Sequence, residues 1–200
     1  MTTGETEKIA ERVERGRKQN STENGAIVPF PFNADFHDPI SMMSNFDRQW
    51  LTNHQNNGYV LTPYVYRIAS GEPIFVLLRV DHPDKEKDVR PLRCDRVLGI
   101  RPIASLKHLE GLRPLYNLDQ IAARPADPVL VVEGEKAADA AQTLCPEYVC
   151  TTWAGGAQSV KRAELLPLVD RDVTIWPDND SEGLKAARTF AAELLRLRVS

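Results

Sequence analysis

Apolar positions fall into two patterns, divided by the stiff break Pro125-Ala126-Asp127-Pro128. Before it, residues 1 to about 25 are polar and charged and end in Asn20-Ser21-Thr22-Glu23-Asn24-Gly25, which predicts a frayed helix or disorder. Pro29, Pro31 and Pro39 then interrupt any regular element, so 1–45 reads as an irregular N-terminal segment. The runs at 64–68 and 74–80 flank Ala69-Ser70-Gly71-Glu72-Pro73 and predict a β-hairpin about a glycine turn. A polar turn over 81–88 and a third strand over 89–94 complete a smaller, antiparallel β-containing subdomain over 46–127.

After the break the pattern becomes βαβαβα. Val129-Leu130-Val131-Val132 is a continuous aliphatic run, as expected of a strand buried on both faces. A helix over 136–144 places Ala137, Ala140, Ala141 and Leu144 on one face. A second strand over 148–153 ends at Ala154-Gly155-Gly156, and a short helix over 158–165 stops before Pro167. A third strand over 172–176 leads to Asp180 or Ser181 as the cap of a long helix, with Leu184, Ala187, Ala191, Leu194 and Leu195 inward. This order implies an α/β domain over 128–200 with a parallel, right-handed crossover sheet flanked by helices.

Composition narrows the class. At 42% hydrophobic and 26% charged residues, the chain is typical of soluble globular proteins, and its longest apolar runs are too short to span a bilayer. The acidic start, Met1-Thr2-Thr3-Gly4-Glu5, argues against secretion. Cys94, Cys145 and Cys150 form no C-x-x-C pair, which excludes a zinc ribbon or disulfide framework within the chain and fits a cytoplasmic location. The net charge of −3 conceals an uneven distribution: Lys85 to Arg113 carries eight basic and four acidic residues, whereas Val129 to Ser200 carries eight basic and eleven acidic ones.

In open α/β sheets, ligands bind outside the carboxyl ends of the strands. Two of these ends are acidic: the first strand runs into Glu133-Gly134-Glu135 and the third into Pro177-Asp178-Asn179-Asp180. Asp178 and Asp180 are two apart and point the same way in extended chain. Carboxylates converging on one sheet edge repel one another unless a hard cation joins them, and oxygen-rich sites suit Mg²⁺ or Mn²⁺. Gly134 permits a close backbone turn near a phosphate, and Gly183 is expected to do the same at the start of the last helix. Lys136 and Lys185 begin the helices beside the acids, while Arg79 and Arg93 lie on strands of the preceding subdomain; all four are candidate nucleotide or DNA contacts. The Trp153-Ala154-Gly155-Gly156 turn suits either approach to a phosphate or a tight strand-to-helix connection. His37, His54, His82 and His108 have no ligand spacing.

Val131-Val132-Glu133-Gly134-Glu135-Lys136-Ala137-Ala138-Asp139, together with Ile175-Trp176-Pro177-Asp178-Asn179-Asp180-Ser181-Glu182-Gly183, resembles the two motifs of the TOPRIM fold. That fold is shared by bacterial-type primases, topoisomerases, OLD-type nucleases and recombination mediators. The primase module of phage and plasmid primase-helicases is the closest flavour, with Leu115-Tyr116-Asn117-Leu118 similar to the step before its first motif. The resemblance runs from Val129 to the end of the chain and more weakly back to Tyr59. It implies Glu133 as general acid/base and as a ligand, with Asp178 and Asp180, of a catalytic Mg²⁺ (or Mn²⁺). It also implies a DNA primase-like nucleotidyltransferase acting on single-stranded DNA and NTPs, alongside a replicative helicase or a further C-terminal domain. The alternatives are a TOPRIM-type nuclease and a catalytically inactive DNA-binding replication accessory. Two departures stand out: Ala137 occupies a position where bacterial primases usually carry an acid, and the fourth parallel strand of the fold is missing before Ser200. Neither a Cys/His zinc module nor a G-x-x-x-x-G-K-[S/T] loop is present.

Overall fold

The computed structural model describes residues 45–82, 84–95, 99–109 and 111–199. The irregular segment expected over 1–45 therefore lies outside the described residues except for Asn45, the first residue of helix α1 (Asn45–Asn56). Four antiparallel strands follow in sequential order: β1 (Val60–Arg67), β2 (Pro73–His82), β3 (Lys85–Asp95) and β4 (Gly99–Pro102). The expected hairpin is present, with Tyr66 opposite Phe75 and Gly71 at a φ of 89° in its turn. Only glycine takes up that backbone conformation without a steric cost. The third strand starts at Lys85 rather than 89, because His82 pairs with Lys85 and shortens the polar turn.

The apolar run in β2 is buried on both faces of this sheet. Val76, Leu78 and Val80 join Leu92, Cys94 and Ile100 under Leu51 of α1. Phe75 and Leu77 join Tyr64 and Tyr66 on the opposite face, where they meet the second half of the molecule. A strand covered on one side only would alternate apolar and polar positions; this one is covered twice.

Beyond helix α2 (Leu118–Ala123) lies a separate parallel sheet with strand order β6-β5-β7: β5 (Val129–Val132), β6 (Val149–Thr151) and β7 (Val173–Trp176). The α/β class is present, and the first and third strands of this sheet are neighbours. Helix α3 (Glu135–Leu144) packs between the two sheets, where Ala138 and Ala141 join Leu130, Val132, Cys150 and the β1–β2 aromatics in one shared core. Small residues at these two positions let the helix approach closely, and Leu144, expected inward, is 76% exposed. Helix α4 (Ser181–Val199) covers the other face, with Phe190 and Leu194 against Val129, Val131 and Trp153. Leu115, Leu118 and Ile121 belong to this core, so it draws on residues from both sides of the Pro125–Pro128 break.

Two further expectations change. The inward stripe of α4 runs through Gly183, Ala186, Phe190 and Leu194, while Leu184 and Leu195 are exposed. The segment expected as one helix over 158–165 is a 3₁₀ turn (Ala157–Arg162), and Leu166–Leu168 forms another that includes Pro167. No helix among the described residues is long and apolar enough to cross a membrane.

The two edges of the parallel sheet differ. Along β6, the Tyr116 amide donates to the Thr152 carbonyl at 2.9 Å and Thr151 Oγ1 donates to the Tyr116 carbonyl at 2.5 Å. Asn117 Nδ2 donates to the Cys150 carbonyl and the Cys150 amide to Gln142 Oε1, both at 3.0 Å. These bonds satisfy an edge that would otherwise be open. Among the described residues β7 has β5 on one side only, and its Trp176 is 59% exposed.

Candidate active site

Val132 and Trp176 are register partners on adjacent parallel strands, so Glu133 and the Pro177-Asp178 step leave the sheet side by side. Glu133 follows a strand whose four residues are all buried, which fixes its backbone. Its Oε2 atom is buried and has no hydrogen-bond partner among the described residues. Burial, followed by the negative charges of Asp178, Asp180 and Glu182, pushes the Glu133 carboxyl above its ordinary range, and the Lys87 ammonium opposes them. The next residue, Gly134, has a φ of 92° and donates its amide to Thr152 Oγ1 at 3.0 Å, which ties the turn after β5 to the end of β6.

Asp178 is seated by a glycine. A Cβ on Gly183 would come within 2.7 Å of the Asp178 carbonyl oxygen and 3.0 Å of its Cβ. Gly183 therefore packs the Asp178 loop closely onto the start of α4. Asp180 Oδ1 accepts the Gly183 amide at 2.7 Å and caps α4, settling the choice between Asp180 and Ser181. Among the described residues, no three His, Cys, Asp or Glu side chains form a ready-made cation cluster. The expected trio is arranged as one buried oxygen without a partner among the described residues (Glu133), one exposed carboxylate one position past the register level of Glu133 (Asp178), and one helix cap (Asp180).

A cleft of about 850 Å³ opens where the antiparallel sheet faces the carboxyl ends of β5 and β6, and Glu133 and Asp178 line it. Lys136, in the first turn of α3, lines it as expected. Arg79 also lines it, but its guanidinium is paired in two-pronged fashion with Asp81 on the same strand, at 2.6 and 2.8 Å. Arg93 and Lys185 are not among the lining residues. Lys87, Lys107 and Arg113 are, although they were not singled out as contacts. The signal for them is the basic excess between Lys85 and Arg113, three of whose eight basic residues line this cleft. Of the histidines, His54 and His82 pack their rings against Tyr59, and His37 lies outside the described residues.

The donor set suits a hard cation. An orphaned carboxylate oxygen, repelled by neighbouring acids and rigidly held at a strand end, gains most from a divalent ion with oxygen preference. The surrounding lysines and arginines suit phosphate. No protein-family model matches this chain, and no curated protein or solved structure matches it either.

Proposed function

We propose that the chain is a TOPRIM-type, Mg²⁺-dependent (or Mn²⁺-dependent) nucleotidyltransferase that makes primers on single-stranded DNA from NTPs. The observation that carries this reading is the buried, unpartnered Oε2 of Glu133, raised in proton affinity beside Asp178 in a cleft lined with basic residues. Glu133, Asp178 and Asp180 would hold the ion, which when bound neutralises charge on the transferred phosphoryl group. Glu133 is the group to accept the proton of the attacking 3′-hydroxyl, because burial and like charges raise its basicity toward the working pH. Lys87, Lys107 and Lys136 hold the anionic substrate in the cleft, and Leu77, Val89 and Pro91 supply apolar wall. Such an activity belongs in cytoplasmic replication of a phage, plasmid or other mobile element, beside a replicative helicase or a further domain.

The test is incubation with Mg²⁺, NTPs and unlabelled single-stranded template, run against labelled DNA without NTPs. Short RNA products that vanish in Glu133→Gln support the proposal. Cleavage of the labelled DNA without NTPs replaces it with a TOPRIM-type nuclease that uses water as the nucleophile. The use of Asp180 as a helix cap favours one further reading, a catalytically inactive DNA-binding replication accessory. DNA binding that is indifferent to Mg²⁺, with neither product, would select it.

A further inference from the structure

The turn after β6 lies one strand away from Glu133 and has features that the acid cluster does not explain. Gly155 and Gly156 follow one another at φ values of 96° and 71°. Two successive positive φ values turn the backbone in a way that a side chain would strain. The amides of both glycines make no hydrogen bond among the described residues, and both glycines are exposed and line the cleft. A Cβ on Gly155 would come within 2.8 Å of Ser159 Oγ and 3.0 Å of Arg113 Nη1. The bare backbone thus passes directly over a hydroxyl and a guanidinium. The Ser159 hydroxyl makes no hydrogen bond among the described residues.

Arg113 is the second, independent observation. It is 7% exposed, yet among the described residues no carboxylate pairs with it and its Nε has no partner. Nη1 and Nη2 donate only to the carbonyls of Ala154 (3.2 Å) and Leu106 (3.3 Å). Burial lowers its proton affinity and Arg162 lowers it further, so among the described residues the buried charge has a like neighbour and no carboxylate partner. A guanidinium does not escape by deprotonation, and a buried charge without a partner is costly. Its remaining exposed surface lines the cleft.

We propose that Gly155, Gly156, Ser159 and Arg113 form a phosphate-binding cradle, with Lys107 and Lys136 in the same cleft. The cradle takes a phosphate group from either of two sources, a nucleoside triphosphate or a nucleic-acid backbone. Consecutive free amides in such a turn make an anion-binding concavity, and the guanidinium beneath supplies the charge. Phosphate binding here stands without the metal reading; only the cradle's role in primer synthesis rests on the proposed activity.

The experiment uses the full chain in EDTA, so no metal-bridged binding contributes. Inorganic phosphate, ATP and a single-stranded oligonucleotide without terminal phosphates are titrated by calorimetry against the wild type, Ser159→Asp and Ser159→Ala. Ser159→Asp places a carboxylate beside Arg113, which gives the buried charge a counter-ion and blocks an incoming anion. Melting temperature is therefore expected to rise while phosphate affinity falls about tenfold or more. Ser159→Ala is expected to leave melting nearly unchanged and weaken binding by a few-fold. Loss of ATP binding alone identifies a nucleotide site; loss of oligonucleotide binding identifies a backbone site. Wild type that binds none of the three probes, or binding unchanged in Ser159→Asp, overturns the cradle. Either result leaves the Mg²⁺-dependent activity to its own assay.

Discussion

Tyr66 donates its phenolic hydroxyl to Glu135 Oε1 at 2.5 Å, joining a strand of the antiparallel sheet to the first turn of the helix between the sheets. The phenol is fully buried and stacks on Phe75 with ring centroids 4.4 Å apart. Burial and the Glu135 charge raise its pKa well above 10, so the donor keeps its proton throughout the neutral range. Tyr66→Phe preserves the stack and leaves a carboxylate oxygen without this donor. The expected cost is about 1–3 kcal/mol, read as a lower denaturant midpoint at an unchanged slope. Because the folded-state pKa lies above the unfolded one, the phenol also stops contributing stability as pH rises above about 10, and that alkaline loss is expected to be smaller in the variant. Identical curves for the two proteins would remove the bond from any stabilising role.

Asp178→Asn keeps the shape of the side chain and removes one of the charges that repel Glu133. In EDTA the variant is expected to melt at or slightly above the wild type. Added Mg²⁺ should raise the wild-type melting temperature by mass action, following RT ln(1 + [L]/Kd), and the variant's much less. An aspartate serving only its loop would give the opposite pattern: equal destabilisation with and without Mg²⁺, and a wild type that ignores the ion.

Glu133→Gln tests the same field through pH. A carboxyl whose folded pKa is raised binds more protons folded than unfolded, so its ionisation lowers stability as pH rises from the unfolded value of 4.5 through the folded one. In metal-free buffer the variant is expected to match the wild type below that window and to exceed it above. Denaturant midpoints between pH 4 and 7 read the difference. A constant offset across the range would mean that the charge is not the cause.

The cysteines offer an independent check on the two cores. Burial pushes the Cys94 thiol up to about 12 and the Cys150 thiol to about 11. The thiolate is the reactive form, so at pH 8 Cys150 presents only about one part in a thousand of it, before any limit on access. Cys145 is part-exposed. Ellman's reagent on the native protein should therefore release about one thiol equivalent quickly, and three only after denaturation. Mass spectrometry that places the fast label on Cys94 or Cys150 would contradict the packing.

The parallel half of the fold was legible because its signals are local. An aliphatic run such as 129–132 has one stable use, and right-handed crossovers then bring Glu133 and Asp178 to the same edge. The long last helix was legible as a helix but not in its rotation. Its alanines and leucines offer two neighbouring stripes, 183/186/190/194 and 184/187/191/195. Periodicity does not rank them; the fit of Gly183 under the Asp178 backbone and of Phe190 into the core does. The basic lining of the cleft was illegible for a different reason. Which of Lys87, Arg93 and Lys107 enters depends on the face that the antiparallel sheet turns toward α3, a relationship between segments about 50 residues apart. Arg113 stands out in the sequence only as one member of the basic segment, since its meaning comes from the Gly155 backbone above it.

The unequal edges of the parallel sheet set how its amides meet solvent deuterium. The Val129 amide donates to the Asp172 carbonyl at 2.8 Å, and the alternation of a parallel ladder then directs the amides of Val173 and Ile175 away from β5. In heavy water these two are expected to exchange early, by simple exposure and without any opening of the fold. The Cys150 amide on the opposite margin, held by Gln142, waits for the release of α3. A single three-stranded sheet therefore runs two clocks, one set by its open margin and the other by the helix that guards the far side.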